Sequence, residues 1–275
     1  MSKEYTPPPK SYKRAYPFKL GTTSFIYPDS YISNMRMLEP CLDEIELLFL
    51  ESAEAGLPSE REIEALCLLA EESDMTCNVH LPMDVPLTDS DFSARRDAAK
   101  AIRNVIDLTA PLSPSTYTLH LHYDEASREE AVIKKWQQIA YESTDRLLSD
   151  SLVKPELFSI ETLDYPFEWV EKIIRDFHVS VCMDLGHLIL YGFDAEALFD
   201  QYAEIISIIH LHGVRDGRDH IPLDRLSDGN VRLVMDILRR FTGVVSLEVF
   251  SYEYLIPSLI FLEKCWQACE KDCQT

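Results

Sequence analysis

Ser180-Val181-Cys182-Met183-Asp184-Leu185-Gly186-His187 is an apolar, β-prone run that ends on a carboxylate and an imidazole. A charged residue inside such a run is costly unless something pairs with it, so Asp184 points to a partner at the strand end. Downstream, Ala195–Ile205 carries apolar residues at helical spacing, and Asp194 stands where a helix N-cap belongs. A second apolar run follows, Ile205-Ile206-Ser207-Ile208-Ile209-His210-Leu211-His212, again closing on histidine. This strand–helix–strand unit is the signature of parallel pairing.

The same alternation extends in both directions. Further strand runs lie at Lys19–Phe25, Glu44–Leu50, Met75–Leu81, Tyr117–His122, Phe158–Glu161 and Val244–Phe250. Helical patterns follow them at Ser30–Leu38, Glu60–Glu72, Ala94–Leu108, Arg128–Leu148, Glu168–Phe177, Asn230–Phe241 and Tyr252–Cys269, with Asp228 as an expected N-cap. Eight strand runs in a chain of 275 residues imply an α/β protein of the closed (β/α)8 TIM barrel type, which typically needs roughly 250 residues. Residues 17–275 are expected to form this one domain and residues 1–16 a flexible tail. With 8 glycines and no GxGxxG or GxxxxGK pattern, the sequence offers no nucleotide-binding loop.

Composition narrows the function. Hydrophobic residues make up 46% and charged residues 27% of the chain, which allows a large core. The net charge of -21 repels phosphate backbones, so no nucleic-acid partner is expected. No apolar run approaches the roughly 18 residues of a membrane helix, and Met1–Tyr16 has no apolar signal segment. A cytoplasmic protein without a membrane partner is the expectation. The 7 cysteines form no CxxC pair. Cys41, Cys67, Cys77 and Cys182 read as core residues, as do Cys265, Cys269 and Cys273 on the last helix, where a metal or redox role is the alternative.

Chemistry concentrates at the strand ends. Of the 8 histidines, all but His178 fall on or just after a strand end: His80, His120, His122, His187, His210, His212 and His220. Glu161, Asp184 and Glu248 occupy the same register. The pairs His120/His122 and His210/His212 have period two, which turns both rings of a pair to one side of a strand. Barrels of this type place their active sites at this end. Imidazole and carboxylate donors suit divalent metal ions, Zn or Mn foremost. The following loops carry Phe25, Tyr27, Tyr123, Tyr165, Phe167, Trp169, Tyr191, Phe193, Phe250, Tyr252 and Tyr254; about half are expected to pack between helices and barrel, and the rest to form an apolar mouth suited to a large planar group.

In order and spacing, His80, the strand-four histidine, Glu161, Asp184-x-x-His187, the strand-seven histidine, His220 and Glu248 resemble the xylose-isomerase-like barrel superfamily of sugar isomerases, epimerases and abasic-site endonucleases. Leu20–Pro28 and Asp43–Leu48 are similar to its cobamide-remodelling phosphodiesterases. That resemblance implies one to three divalent ions, with Glu161, Asp184 and Glu248 as carboxylate ligands, Glu161 and Glu248 bridging. It implies His80, His120, His187, His212 and His220 as imidazole ligands, with His122 and His210 the alternatives on their strands. Arg218 stands where the endonuclease pattern has aspartate, and a guanidinium there suits a phosphate.

The expected activity is therefore metal-dependent hydrolysis of the nucleotide loop of a corrinoid, with Glu161, Glu248 and Arg218 catalytic. The alternative is a single-metal sugar isomerase or epimerase using Glu161, Asp184, His212 and Glu248, two carboxylates shuttling a proton beside a carbonyl. A corrinoid carrier without catalysis is a third reading.

Overall fold

The structure is a computed structural model that describes residues 5–53 and 56–272. Strands β1 (Lys19–Thr23), β2 (Glu44–Leu48), β3 (Thr76–His80), β4 (Tyr117–Leu119), β5 (Phe158–Glu161), β6 (Ser180–Asp184), β7 (Ile206–Leu211) and β10 (Val244–Leu247) are all parallel. They close into a barrel in the order β1-β10-β7-β6-β5-β4-β3-β2. Each expected strand run falls on one of these strands. The closing pair sets Leu20 beside Val245 and Thr22 beside Leu247. The Thr22 hydroxyl donates to the Leu247 carbonyl at 2.7 Å, adding a side-chain bond at the seam.

Helices α1 (Tyr31–Leu38), α2 (Glu60–Ser73), α3 (Phe92–Thr109), α4 (Glu130–Ser149), α5 (Glu171–Phe177), α6 (Leu185–Tyr191), α7 (Ala195–Tyr202), α8 (Asp228–Leu238) and α9 (Tyr252–Asp272) follow the strands. Asp194 caps α7 by accepting from the Ala197 amide, as its position implied. On α8 the cap is Ser227, which accepts from Asn230, and Asp228 is the first helical residue. His178 ends α5 in the left-handed conformation, exposed and ahead of β6, apart from the other histidines.

Two elements were not anticipated. The 7-residue helix α6 is too short to show a periodicity. The antiparallel hairpin β8 (Gly213–Arg215) and β9 (Arg218–Ile221) has a two-residue turn, Asp216 and Gly217, both at positive φ. Both elements carry site histidines.

The expected loose tail packs on the barrel from Tyr5 onward, while residues 1–4 lie outside the described residues. The Tyr12 amide donates to Cys41 O at 2.8 Å and the Arg14 amide to Asp43 Oδ1 at 2.9 Å. At the other end of the barrel the hydroxyls of Tyr27 and Tyr252 donate to the carbonyls of Thr6 and Pro7. Cys41, Cys77 and Cys182 are buried, and burial pushes all three thiols up. Cys265 and Cys269 lie half-buried against the core, and Cys273 falls outside the described residues. Among the described residues no helix is long and apolar enough to cross a membrane.

The barrel interior is layered. At the N-terminal end of the strands the buried Glu44 accepts from Asn78 Nδ2 at 3.0 Å and Ser115 Oγ at 2.6 Å, and also from Thr76. Those bonds satisfy a carboxylate that would otherwise be costly in the interior. The layer above it, toward the C-terminal ends, holds the candidate site.

Candidate metal centre

β5, β6, β7 and the residue after β10 deliver Glu161, Asp184, His210 and Glu248 to the middle of the barrel mouth. Ligand atoms of all four lie within 4.8 Å of one another, and all four side chains are buried. His210 Nδ1 stands 3.3 Å from Glu248 Oε2 and 3.7 Å from Glu161 Oε1. Both ring nitrogens of His210 and Oε2 of Glu248 are buried without a hydrogen-bond partner. Buried polar atoms are normally satisfied, so convergent buried atoms left without a hydrogen bond have the character of a coordination shell.

A second group adjoins the first through Glu161. His120 Nε2 lies 2.7 Å and His80 Nε2 3.3 Å from Glu161 Oε2, and the two imidazole nitrogens are 3.1 Å apart. His80 Nδ1 donates to the Leu81 carbonyl at 3.0 Å. That bond leaves the Nε2 lone pair facing the group, the usual way an outer partner sets a ligand's tautomer.

A third group adjoins through Asp184 and contains His187, His212 and His220. His187 Nδ1 lies 3.2 Å from Asp184 Oδ2, and His220 Nε2 lies 3.3 Å from Glu248 Oε2. His212 differs from the others. Its Nδ1 accepts the His220 backbone amide at 3.0 Å, which leaves the ring proton on Nε2, 3.2 Å from Asp184 Oδ1. His212 thereby orients Asp184.

Local structure explains these placements. Asp184 ends β6 and also caps α6, accepting from the His187 amide at 2.7 Å, so the Asp-x-x-His spacing is one turn of helix. Gly186 lies between them. A Cβ there would sit 2.0 Å from the His212 ring, so only glycine lets that imidazole cross α6. His220 reaches the site because the hairpin folds back over the mouth, itself at φ 49°.

Charge is balanced within the cluster. Burial pushes the Glu161 carboxyl up, but the His120 and His210 imidazoles outweigh it and hold it well below the ordinary carboxylate range. Glu248 is likewise held well below that range by His210 and His220 against burial. Asp184 is held down by His187 and His212. Burial lowers His220, yet Glu248 raises it further, to about 9. Burial wins at His120, which is lowered despite Glu161.

The structure brings both His210 and His212 to the site, His210 beside Glu161, Asp184 and Glu248 and His212 beside Asp184, His187 and His220. The four-residue set of the isomerase alternative contains His210 where His212 was expected. His122 belongs to none of the three groups. Its ring packs against that of His120, 5.0 Å between centroids, and its carbonyl accepts from Trp136. Arg218 is exposed on β9. Glu46 was missed. It is buried in β2, accepts from Ser246 Oγ, and faces His210 Nε2 at 3.5 Å. A carboxylate inside the apolar run Glu44-Ile45-Glu46-Leu47-Leu48 is the same signal that revealed Glu161 and Asp184.

Imidazoles and carboxylates with unpartnered, convergent atoms fit a divalent cation such as Zn or Mn. Glu161, Asp184, His210 and Glu248 would hold it, and the flanking groups offer further donors.

Comparison with solved structures gives the same barrel at low identity. A D-tagatose 3-epimerase-like protein is 17% identical, with 93% of this chain and all of that one covered and a TM-score of 0.77. A 3-keto-D-glucoside 4-epimerase from E. coli is 15% identical over 90% and 100% of the two chains, TM-score 0.68. An L-ribulose 3-epimerase is 13% identical over 94% and 97%, TM-score 0.68. No curated protein matches the sequence. The expectation of a corrinoid phosphodiesterase is corrected by these comparisons, whose proteins are named as sugar epimerases or as like one. The sequence model of the xylose isomerase-like TIM barrel family matches residues 42–265, well over half of the chain. The chain belongs to the xylose isomerase-like TIM barrel family.

Proposed function

We propose that the protein is a metal-dependent sugar isomerase or epimerase. The observation that carries this reading is the convergence of Glu161, Asp184, His210 and Glu248 on one buried point at the barrel mouth. A divalent cation held there supplies Lewis-acid polarisation of a substrate carbonyl.

The chain's own residues supply the proton transfer. Glu161 and Glu248 come from non-adjacent strands, β5 and the end of β10, so their oxygens approach the mouth from different sides. His120 and His210 keep Glu161 ionised, as a base must be before it takes a proton. One carboxylate removes the proton on the carbon beside the carbonyl, and the electron pair left behind is delocalised into that carbonyl. Return of a proton to the opposite face inverts the carbon; return to the former carbonyl carbon, with the hydroxyl proton of the first carbon passing to the former carbonyl oxygen, moves the carbonyl. His212 and His187 hold Asp184 in place, and Glu46 holds His210. The similar structures support a sugar with a free or latent carbonyl as substrate, since two are named as epimerases of ribulose and a 3-ketoglucoside and a third as like a tagatose epimerase.

The test is conversion. Protein loaded in turn with Mn, Zn and Co is incubated with D-tagatose, D-fructose, L-ribulose and 3-keto-D-glucosides, and the products are separated by chromatography. Formation of an epimer or isomer from one of them supports the reading. No conversion of any of them under all three metals overturns it.

A further inference from the structure

We infer that the site takes a sugar joined to an aromatic group, and that an apolar pocket beside the metal centre binds the aromatic part. The inference names the substrate class of the function proposed above and rests on that reading. The pocket encloses about 930 Å³, lined by Phe25, Tyr27, Leu48, Leu50, Phe250 and Tyr252 among others. That volume is within the range of cavities that enclose drug-sized ligands, about 300–1,000 Å³.

Its position ties it to the metal centre. Phe250 follows Glu248 by two residues, and its ring stacks on His220 with centroids 5.1 Å apart and planes 25° apart. His220 in turn meets Glu248 at 3.3 Å. A ligand whose polar part lies at Glu248 therefore has the Phe250 wall within reach.

Its walls are mostly apolar, with Thr6, Asp29, Ser251 and Glu253 as the polar side chains of the lining. The hydroxyls of Tyr5, Tyr27 and Tyr252 are spent on the carbonyls of Pro28, Thr6 and Pro7, so these tyrosines show the pocket their rings. A monosaccharide covered in hydroxyls would lose water there and gain few partners. Phe25, Leu50 and Phe250 are 36%, 45% and 42% exposed, and Tyr191 stands beside His187. Four of the nine exposed large hydrophobic side chains among the described residues thus border this mouth. Exposed apolar surface concentrated at one catalytic mouth marks a ligand surface. Flat rings on its walls favour a planar aromatic group.

The experiment compares two glycosides on the metal-loaded full chain. Binding of 4-methylumbelliferyl β-D-glucoside is followed by fluorescence anisotropy, and binding of methyl β-D-glucoside by its competition. The aryl glycoside is expected to bind saturably and at least about tenfold more tightly, the effect of burying one aromatic ring. Leu50→Asp and Phe25→Asp, both at exposed positions away from the ligand groups, should each remove about tenfold of that affinity while metal content stays unchanged. Equal binding of the two glycosides, or affinity untouched by both substitutions, overturns the inference. A wild-type dimer that either substitution renders monomeric also overturns it, because the surface then belongs to a second copy. Aryl binding without epimerisation of any sugar rejects the reaction and leaves the pocket. Epimerisation without aryl preference does the reverse.

Discussion

Glu46 Oε1 lies 3.5 Å from Nε2 of His210, while Nδ1 of the same ring lies 3.3 Å from Glu248 Oε2. The ring is thus bracketed by a carboxylate on each nitrogen. Glu46 is placed to take the Nε2 proton once a cation occupies Nδ1, the arrangement by which an outer partner orients a metal-binding imidazole. Removal of such an outer partner typically costs about 10–100-fold in metal affinity. Glu46→Ala should lose affinity on that scale in competition with a chromophoric chelator, and Glu46→Gln should lose less. Unchanged affinity in Glu46→Ala would show that His210 needs no such support.

The central and flanking groups should separate in metal analysis. His80→Ala combined with His120→Ala removes the imidazoles of one flanking group and leaves Glu161, Asp184, His210 and Glu248 in place. This double variant is expected to retain at least one tightly bound ion per chain by mass spectrometry. Glu248→Ala should retain none after dialysis. A double variant as empty as Glu248→Ala would place the principal ion at His80 and His120.

Gly186→Ala tests the packing that sets the outer group. The added methyl would stand 2.0 Å from the His212 ring, and the ring has little room to retreat because it is fully buried. Overpacking of this kind typically costs about 1–3 kcal/mol. The melting temperature should fall by roughly 2–4 °C for each kcal/mol, and metal affinity should fall with it, since His212 would no longer hold Asp184. A variant with the wild-type melting temperature would contradict the placement of α6 against β7.

The metal-free protein should lose stability as pH rises. Glu248 raises His220 to about 9 in the folded chain, against about 6.5 when unfolded. The stabilisation is full below the unfolded value and fades as pH climbs through the folded one. Its size is on the order of 3 kcal/mol. Thermal melts of chelated wild type and His220→Gln from pH 6 to pH 10 should show a difference that shrinks between pH 6.5 and pH 9. A constant difference would mean that His220 does not carry its proton in the folded state.

The barrel was legible because each barrel strand lies in a mostly apolar run and the helices between them, α2, α3, α4 and α9 above all, are long enough to show their periodicity. The central ligands were legible for a related reason. Glu161, Asp184 and Glu248 interrupt or end apolar runs, where a charge demands a partner. What escaped was local and tertiary. Helix α6 has only seven residues and borrows its cap from Asp184, so it reads as loop. The division of labour between His210 and His212 depends on the His220 amide, which arrives from a hairpin outside the barrel. Glu46 carried the right signal, yet its role appears only when β2 and β7 face each other across the interior. The substrate class was misread because an aromatic mouth fixes the shape of a ligand and leaves open which bond is changed.

Solvent deuterium exchange tests the central claim most directly. Metal-loaded protein is incubated in D2O with 2-ketoses and 3-keto-glucosides, and the carbon beside the carbonyl is followed by NMR. The expected result is deuterium at that carbon in substrate or epimer, abolished in Glu248→Gln assayed in excess metal and shown to hold it, with Asp184, His210 and Glu161 in place. Absence of exchange from every sugar under every metal, in protein shown to be metal-loaded, would contradict the assignment of Glu161 and Glu248 as a proton-transferring pair.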